Sequence, residues 1–161
     1  MSSDRREQTT EVASSGSVPT VGQPARHRVL LVEDHAGLAE ATAELLRFHG
    51  LEVRVAATGR DALAMAREFN PVLILCDITL PDMTGLDVGQ ALRATRGAND
   101  LLIAVFSAMN AVDLCDVERQ WKPRGIDLFL SKPLTDETLI DLISKLEVGG
   151  RSVRPDAAKT P

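Results

Sequence analysis

The 161-residue chain is 44% apolar and 25% charged, the composition of one globular domain rather than a disordered, collagenous or disulfide-dense chain. Its net charge of −5 is concentrated between Arg28 and Val148, where 19 acidic residues stand against 12 basic ones, and a surface of that sign repels phosphate backbones and argues against direct nucleic-acid binding. No apolar run approaches the ~20 residues of a membrane span, and the N-terminus lacks the apolar stretch of a signal peptide, so the expectation is a cytoplasmic protein without membrane insertion.

Residues 1–27 are rich in Ser, Thr, Gln, Gly and Pro and show no apolar period; they read as a disordered tail. Val29 to Val32 is a short buried strand. Ala36 to His49 is a helix with Leu38, Ala41, Leu45 and Phe48 on one face, stopped at Gly50. Leu51, Val53 and Val55 alternate with charged or small residues as a half-buried strand. After Thr58-Gly59 a second helix turns Ala62, Met65, Ala66 and Phe69 inward and ends at Asn70-Pro71.

Val72 to Cys76 is the third strand, and Gly85 to about Arg96 the third helix, with Leu86, Val88 or Gly89, and Leu92 available to the core. Leu101 to Phe106 is the fourth strand. A more polar helix over residues 111–121 and a short fifth strand from Ile126 to Leu130 follow. Thr135 caps a last helix whose first turn carries Asp136 and Glu137 and whose inner face is Leu139, Leu142, Ile143 and Leu146. Residues 149–161 read as a second disordered tail, leaving 28–148 as the folded domain. With four Phe, one Trp and no Tyr, its core is aliphatic. Strict strand–helix alternation requires right-handed crossovers, and therefore a doubly wound, five-stranded, mostly parallel sheet with helices on both faces.

The polar residues fall where such a sheet binds ligands. Glu33 and Asp34 follow the first strand, Asp77 the third, Ser107 the fourth and Lys132 the fifth, so all share the edge formed by the strand C-termini. A carboxylate directly after a strand as apolar as Val72 to Cys76 is costly to desolvate unless paired or metal-bound. Three carboxylates together repel one another unless a cation sits among them, and a hard, oxygen-preferring ion such as Mg²⁺ suits them. With Lys132 as a fixed positive charge and Ser107 as a donor, the set is a clamp for a phosphoryl group. His35 beside the acidic pair is a solvated residue at a helix start, because Mg²⁺ prefers oxygen. Cys76 and Cys115 are read as buried free thiols, and Trp121 as a partly exposed packing residue.

The runs Val32-Glu33-Asp34, Asp77-x-x-Leu80-Pro81-x-Met83-x-Gly85, Phe106-Ser107-Ala108 and Leu130-Ser131-Lys132-Pro133 resemble the receiver domain of two-component response regulators, from about Arg28 to Val148. The resemblance implies the flavodoxin-like strand order 2-1-3-4-5, for which a receiver is a standard example. It further implies that Asp77 is the phosphoacceptor, served by a histidine kinase or histidine phosphotransfer protein. By the same resemblance Asp34, Asp77 and the Thr79 carbonyl ligate Mg²⁺, with Glu33 acting through a water. Ser107 and Lys132 would contact the phosphoryl oxygens, and Pro133, after a cis bond, would hold Lys132. Phe129 has two readings, a packing residue of a short strand or the switch aromatic that moves with Ser107. By the resemblance Thr79 and Met109 occupy the positions that tune dephosphorylation. Thr79 is short and Met109 apolar and flexible, and neither is a good general base, which implies slow self-catalysed loss of the phosphoryl group.

Two departures stand out. The 25 positions from Ser107 to Lys132 exceed the compact members of the family, implying a locally enlarged segment, and Met109 offers neither carboxylate nor amide to orient a water. No output domain is recognisable, and the leading expectation is a stand-alone receiver that signals rather than turns over substrate. Two competing functions are an adaptor that binds its partner irrespective of phosphorylation, and a Mg²⁺-dependent phosphatase with an Asp nucleophile. The first is disfavoured by the intact acidic pair, Asp77 and Lys132; the second by Thr79, where such enzymes place a second acid.

Overall fold

The computed structural model describes residues 27–96, 100–108 and 122–148. Both expected tails up to Arg26 and from Gly149, the helix expected over 111–121, and Met109, Cys115 and Trp121 lie outside the described residues. Five strands, β1 (Arg28–Val32), β2 (Glu52–Ala56), β3 (Leu73–Asp77), β4 (Leu102–Ser107) and β5 (Leu128–Ser131), form one sheet in the order β2-β1-β3-β4-β5. All neighbouring pairs are parallel. Four α-helices connect and flank them among the described residues: α1 (Ala36–Phe48), α2 (Gly59–Phe69), α3 (Gly85–Thr95) and α4 (Asp136–Val148). None is long and apolar enough to cross a membrane.

Strand periodicity divides the core into two layers. Leu30 and Val32 of β1, Ile74 and Cys76 of β3, and Ile103 and Val105 of β4 pack with Ala62, Ala66 and Phe69 of α2 and with Leu86, Val88 and Leu92 of α3. The alternate residues, Val29 and Leu31, Leu73 and Leu75, and Ala104 and Phe106, pack with Ala43 and Leu46 of α1 and with Leu139, Leu142 and Leu146 of α4. Strands buried on both faces are what a sheet covered by helices on both sides demands.

The caps act as the sequence suggests. The Thr58 hydroxyl accepts the Asp61 N–H at 3.1 Å, and Thr135 accepts that of Thr138 at 3.3 Å. Thr84 and Asp87 form a reciprocal capping box at the start of α3. Asn70 closes α2 in the left-handed region at φ 49°. His35 is the N-cap of α1, its Nδ1 accepting from the Leu38 N–H at 3.3 Å.

Two expectations are corrected. The inward face of α1 is Ala39, Thr42, Ala43 and Leu46, one residue round from the expected Leu38, Ala41, Leu45 and Phe48; Phe48 is 85% exposed and lies edge-on to His49. Both arcs satisfy helical spacing, but Ala39 and Ala43 let the helix axis approach the sheet, which the bulkier arc does not. The fifth strand begins at Leu128 rather than Ile126. Ile126 is buried because it plugs the space left by Gly89 of α3, where a Cβ would come within 2.1 Å of its Cδ1. Ile126 is therefore core without being strand.

Candidate functional site

The carboxyl ends of β1, β3, β4 and β5 meet as the topology requires. Glu33 follows β1 with its N–H bonded to the Ala56 carbonyl at 3.0 Å, and the residue is only 2% exposed. Its Oε1 accepts the His35 N–H at 3.2 Å and its Oε2 accepts Lys132 Nζ at 2.6 Å. Asp77 closes β3; its Oδ1 accepts the Thr79 N–H at 3.0 Å and its Oδ2 accepts the same ammonium at 2.6 Å. Asp34 is exposed beside them, and carboxylate oxygens of Glu33, Asp34 and Asp77 all lie within 4.8 Å of one another.

Lys132 is held from its backbone as well as its side chain. Its N–H donates to the Ser107 carbonyl at 2.8 Å, its peptide bond to Pro133 is cis as expected, and its side chain is only 12% exposed. Burial works against the charged ammonium, but hydrogen bonds and attraction from Asp77 and Glu33 outweigh it, and the Lys132 pKa is raised. Burial, reinforced by the carboxylates of Asp77 and Glu33, pushes the Cys76 thiol far up, so this free cysteine is an inert core residue.

The loop after Asp77 is folded tightly against it. Gly85 N–H bonds the Ile78 carbonyl at 2.9 Å, and a Cβ on Gly85 would lie 2.1 Å from the Asp77 carbonyl oxygen. Only glycine fits that approach. Thr79 is exposed and bridges Thr84 in antiparallel fashion. Ser107, 6% exposed, ends β4. Phe129 of β5 is partly buried against the layer holding α2 and α3, opposite Val105. The structure thus brings Glu33, Asp34, Asp77 and Lys132 into contact range and sets Thr79 and Ser107 at their margin.

Two contributors are absent from the expected site. Asp82, in the loop after β3, accepts the Gly59 and Arg60 N–H groups at 2.8 and 2.9 Å, capping α2 from outside that helix; these bonds lower its pKa. The signal was present in Pro81-Asp82, a turn dipeptide facing the helix start at Thr58-Gly59. Phe106 lies under Lys132, its ring centroid 4.5 Å from Nζ, a contact that no local spacing announces. A groove of about 350 Å³ between α2 and α3, flanked by Arg67 and Arg96, shares no residue with this cluster.

Three oxygen donors at this separation suit a hard divalent cation such as Mg²⁺. Chemically, the edge offers the Asp77 carboxylate, neighbouring carboxylates suited to a metal, and an ammonium in contact with Asp77.

The family model for the response regulator receiver domain matches residues 29–144. The DNA-binding response regulator MtrA of Mycobacterium tuberculosis is 35% identical over 115 residues, 71% of this chain and 48% of that protein. The chain therefore spans about half the length of the curated relatives it matches. Among solved structures, the chemotaxis protein CheY4 of Vibrio cholerae superposes with a TM-score of 0.68 at 28% identity, over 75% of this chain and 98% of that one. The receiver domain of a LuxO-type repressor protein from Vibrio parahaemolyticus does so with a TM-score of 0.63 at 31% identity, over 78% of this chain and 93% of that one.

Proposed function

The chain belongs to the response regulator receiver family of two-component signalling, and from that premise we propose that Asp77 accepts a phosphoryl group from a phosphohistidine on a histidine kinase or a histidine phosphotransfer protein. An Asp77 carboxylate oxygen forms the new P–O bond as the P–N bond to the donor imidazole breaks, and the electron pair leaves with the nitrogen, which takes up a proton. The observation that carries this reading is Lys132 Nζ at 2.6 Å from both Asp77 Oδ2 and Glu33 Oε2. One cation is already placed on the nucleophile, at the edge where three carboxylates converge.

The phosphoryl group brings roughly 1.5 to 2 negative charges in place of the one that Asp77 carried, beside Glu33 and Asp34, and Lys132 alone does not offset them. Glu33, Asp34 and Asp77 would hold Mg²⁺, which supplies the missing positive charge when bound. Lys132 then pairs with a phosphoryl oxygen, and Ser107 turns toward another. Because Lys132 N–H is bonded to the Ser107 carbonyl, a change at either residue is passed to β4 and β5, and Phe129 follows. The output is an altered surface for a protein partner, the reading that suits an acidic domain.

The test is intact mass after acetyl phosphate treatment, with and without Mg²⁺. One phosphoryl group is expected on the wild type in Mg²⁺ and none on Asp77→Ala. Equal labelling of the two proteins overturns the assignment, and a partner that binds Asp77→Ala as tightly as the phosphorylated wild type favours the adaptor reading instead.

A further inference from the structure

The ammonium of Lys132 has three N–H bonds. Two are directed to Glu33 Oε2 and Asp77 Oδ2, each at 2.6 Å, and the ring centroid of Phe106 stands 4.5 Å from Nζ. Phe106 is 1% exposed, so its ring is held rigidly by the core. It is also the register partner of Asp77 across β3 and β4, and its carbonyl accepts the Ile78 N–H at 3.2 Å. A single residue therefore fixes the backbone beside Asp77 and lays an aromatic face under the lysine.

An aromatic face attracts a cation through its quadrupole, more strongly where water is excluded. Unlike a carboxylate, the ring cannot bind a divalent ion, take a proton or form a bond to phosphorus. Both carboxylates that anchor Lys132 here belong to the acidic triad, so a cation bound there competes for their oxygens, and phosphorylation turns the Asp77 carboxylate into a mixed anhydride whose charge sits on the phosphoryl oxygens. At each of these moments Lys132 exchanges an anchor, whereas the chemistry of the ring does not change.

We infer that Phe106 is a positioning residue that holds the Lys132 ammonium at the site through its aromatic face while the carboxylates change partners. The consequence for phosphorylation rests on the function proposed above; the contact itself does not.

The experiment replaces Phe106 by 4-fluoro- and by 3,4,5-trifluorophenylalanine at that single codon, which drains the ring face of electron density at nearly constant volume. The side-chain ε-protons of Lys132, one of four lysines, are followed by NMR in metal-free, unphosphorylated protein. An upfield ring-current displacement is expected in the wild type and its loss in Phe106→Leu. The acetyl phosphate labelling rate in saturating Mg²⁺ is expected to fall stepwise with fluorine number, about fivefold for the trifluoro ring. Melting temperature and calorimetric Mg²⁺ affinity should stay near the wild-type values, which separates positioning from packing. Labelling at the wild-type rate in the trifluoro protein overturns the inference, as does the absence of a ring-current displacement. Should the wild type fail to label at all, the phosphoacceptor reading falls, and the ring-current measurement alone decides the contact.

Discussion

Two largely buried sets of ion pairs stand at the two ends of β5, through Asp127 before it and Lys132 after it, and do opposite things. At one end, Arg93 of α3 donates from Nη2 to Asp127 at 2.5 Å, from Nε to the Gly125 carbonyl and from Nη1 to the Leu101 carbonyl, both at 2.9 Å. Asp127 also accepts the Ile103 N–H at 2.8 Å. One positive charge meets one negative charge, and the guanidinium fork is directed wholly at fixed acceptors. At the other end, Lys132 meets Glu33 and Asp77, with Asp34 beside them. One positive charge faces three negative ones. The balanced pair is a lock between α3 and the strands; the unbalanced one is an unfinished set of charges, suited to a cation and, in the function proposed, to a phosphoryl group. Charge stoichiometry, not burial or distance, separates the structural pair from the one we propose as functional.

The largest effect expected from breaking this comparison is in the lock. Arg93→Ala leaves the Asp127 carboxylate without its cation and two carbonyls without a donor, a loss of about 3 kcal/mol. In a domain of this size that lowers the melting temperature by roughly 10 °C. Mg²⁺ should raise the melting temperature of wild type and variant alike and leave the difference between them unchanged. Thermal melts of both proteins with and without the ion check this, and a difference that narrows in Mg²⁺ would mean that the two ends are not independent.

The lock was invisible in the sequence, whereas the site was not. Glu33, Asp34, Asp77 and Lys132 declare themselves because each polar residue directly follows or ends an apolar strand, and parallel topology gathers strand ends at one edge. Arg93 instead stands in the last turn of a helix, where a basic residue is ordinary, and its partner Asp127 is 34 positions away. Nothing in a helical period reports which way a long side chain reaches. The same ambiguity misdirected the face of α1, where two arcs share one spacing, and it hid the contact between Phe106 and Lys132, since a ring in a buried strand announces packing alone. The start of β5 was misplaced for a related reason: Ile126 is buried by the absence of a side chain at Gly89, not by strand pairing.

At the unbalanced end the expected effect is smaller and conditional. Lys132→Ala should cost about 2 kcal/mol in metal-free buffer, because Glu33 and Asp77 then repel without a cation. Here Mg²⁺ should narrow the gap to the wild type, since without the competing ammonium the ion binds Glu33 and Asp77 more tightly, and each tenfold gain in affinity at saturating ion adds ~1.4 kcal/mol to the folded state. The same ammonium sets an alkaline limit. Its folded pKa is raised above the ordinary 10.5, so its contribution is complete below about pH 10.5 and is lost as pH rises through the folded value. Melting curves between pH 9 and 12 should therefore fall more steeply for the wild type than for Lys132→Ala, and parallel curves would contradict the raised pKa.

The smallest effect concerns how long the unfinished charge set, once completed by a phosphoryl group, stays complete. Hydrolysis of an acyl phosphate needs a water held in line with phosphorus, and in the function proposed that approach lies beside Thr79, whose N–H is bonded to Asp77 Oδ1 and which is exposed. A threonine hydroxyl is a poor base and too short to hold a water against the phosphorus. Lys132, held on both the Asp77 and Glu33 carboxylates, stabilises the anionic product rather than the attacking water. Spontaneous loss should therefore be slow, leaving termination to a reversing kinase or a phosphatase. Thr79→Asn, which lengthens the side chain and adds an amide to orient water, should speed decay about tenfold, a change of only ~1.4 kcal/mol in the barrier, and Met109→Glu should act in the same direction. The decay of phosphorylated protein after donor removal measures both, and a wild-type rate equal to or above that of the variants would show that water positioning is not what limits the lifetime.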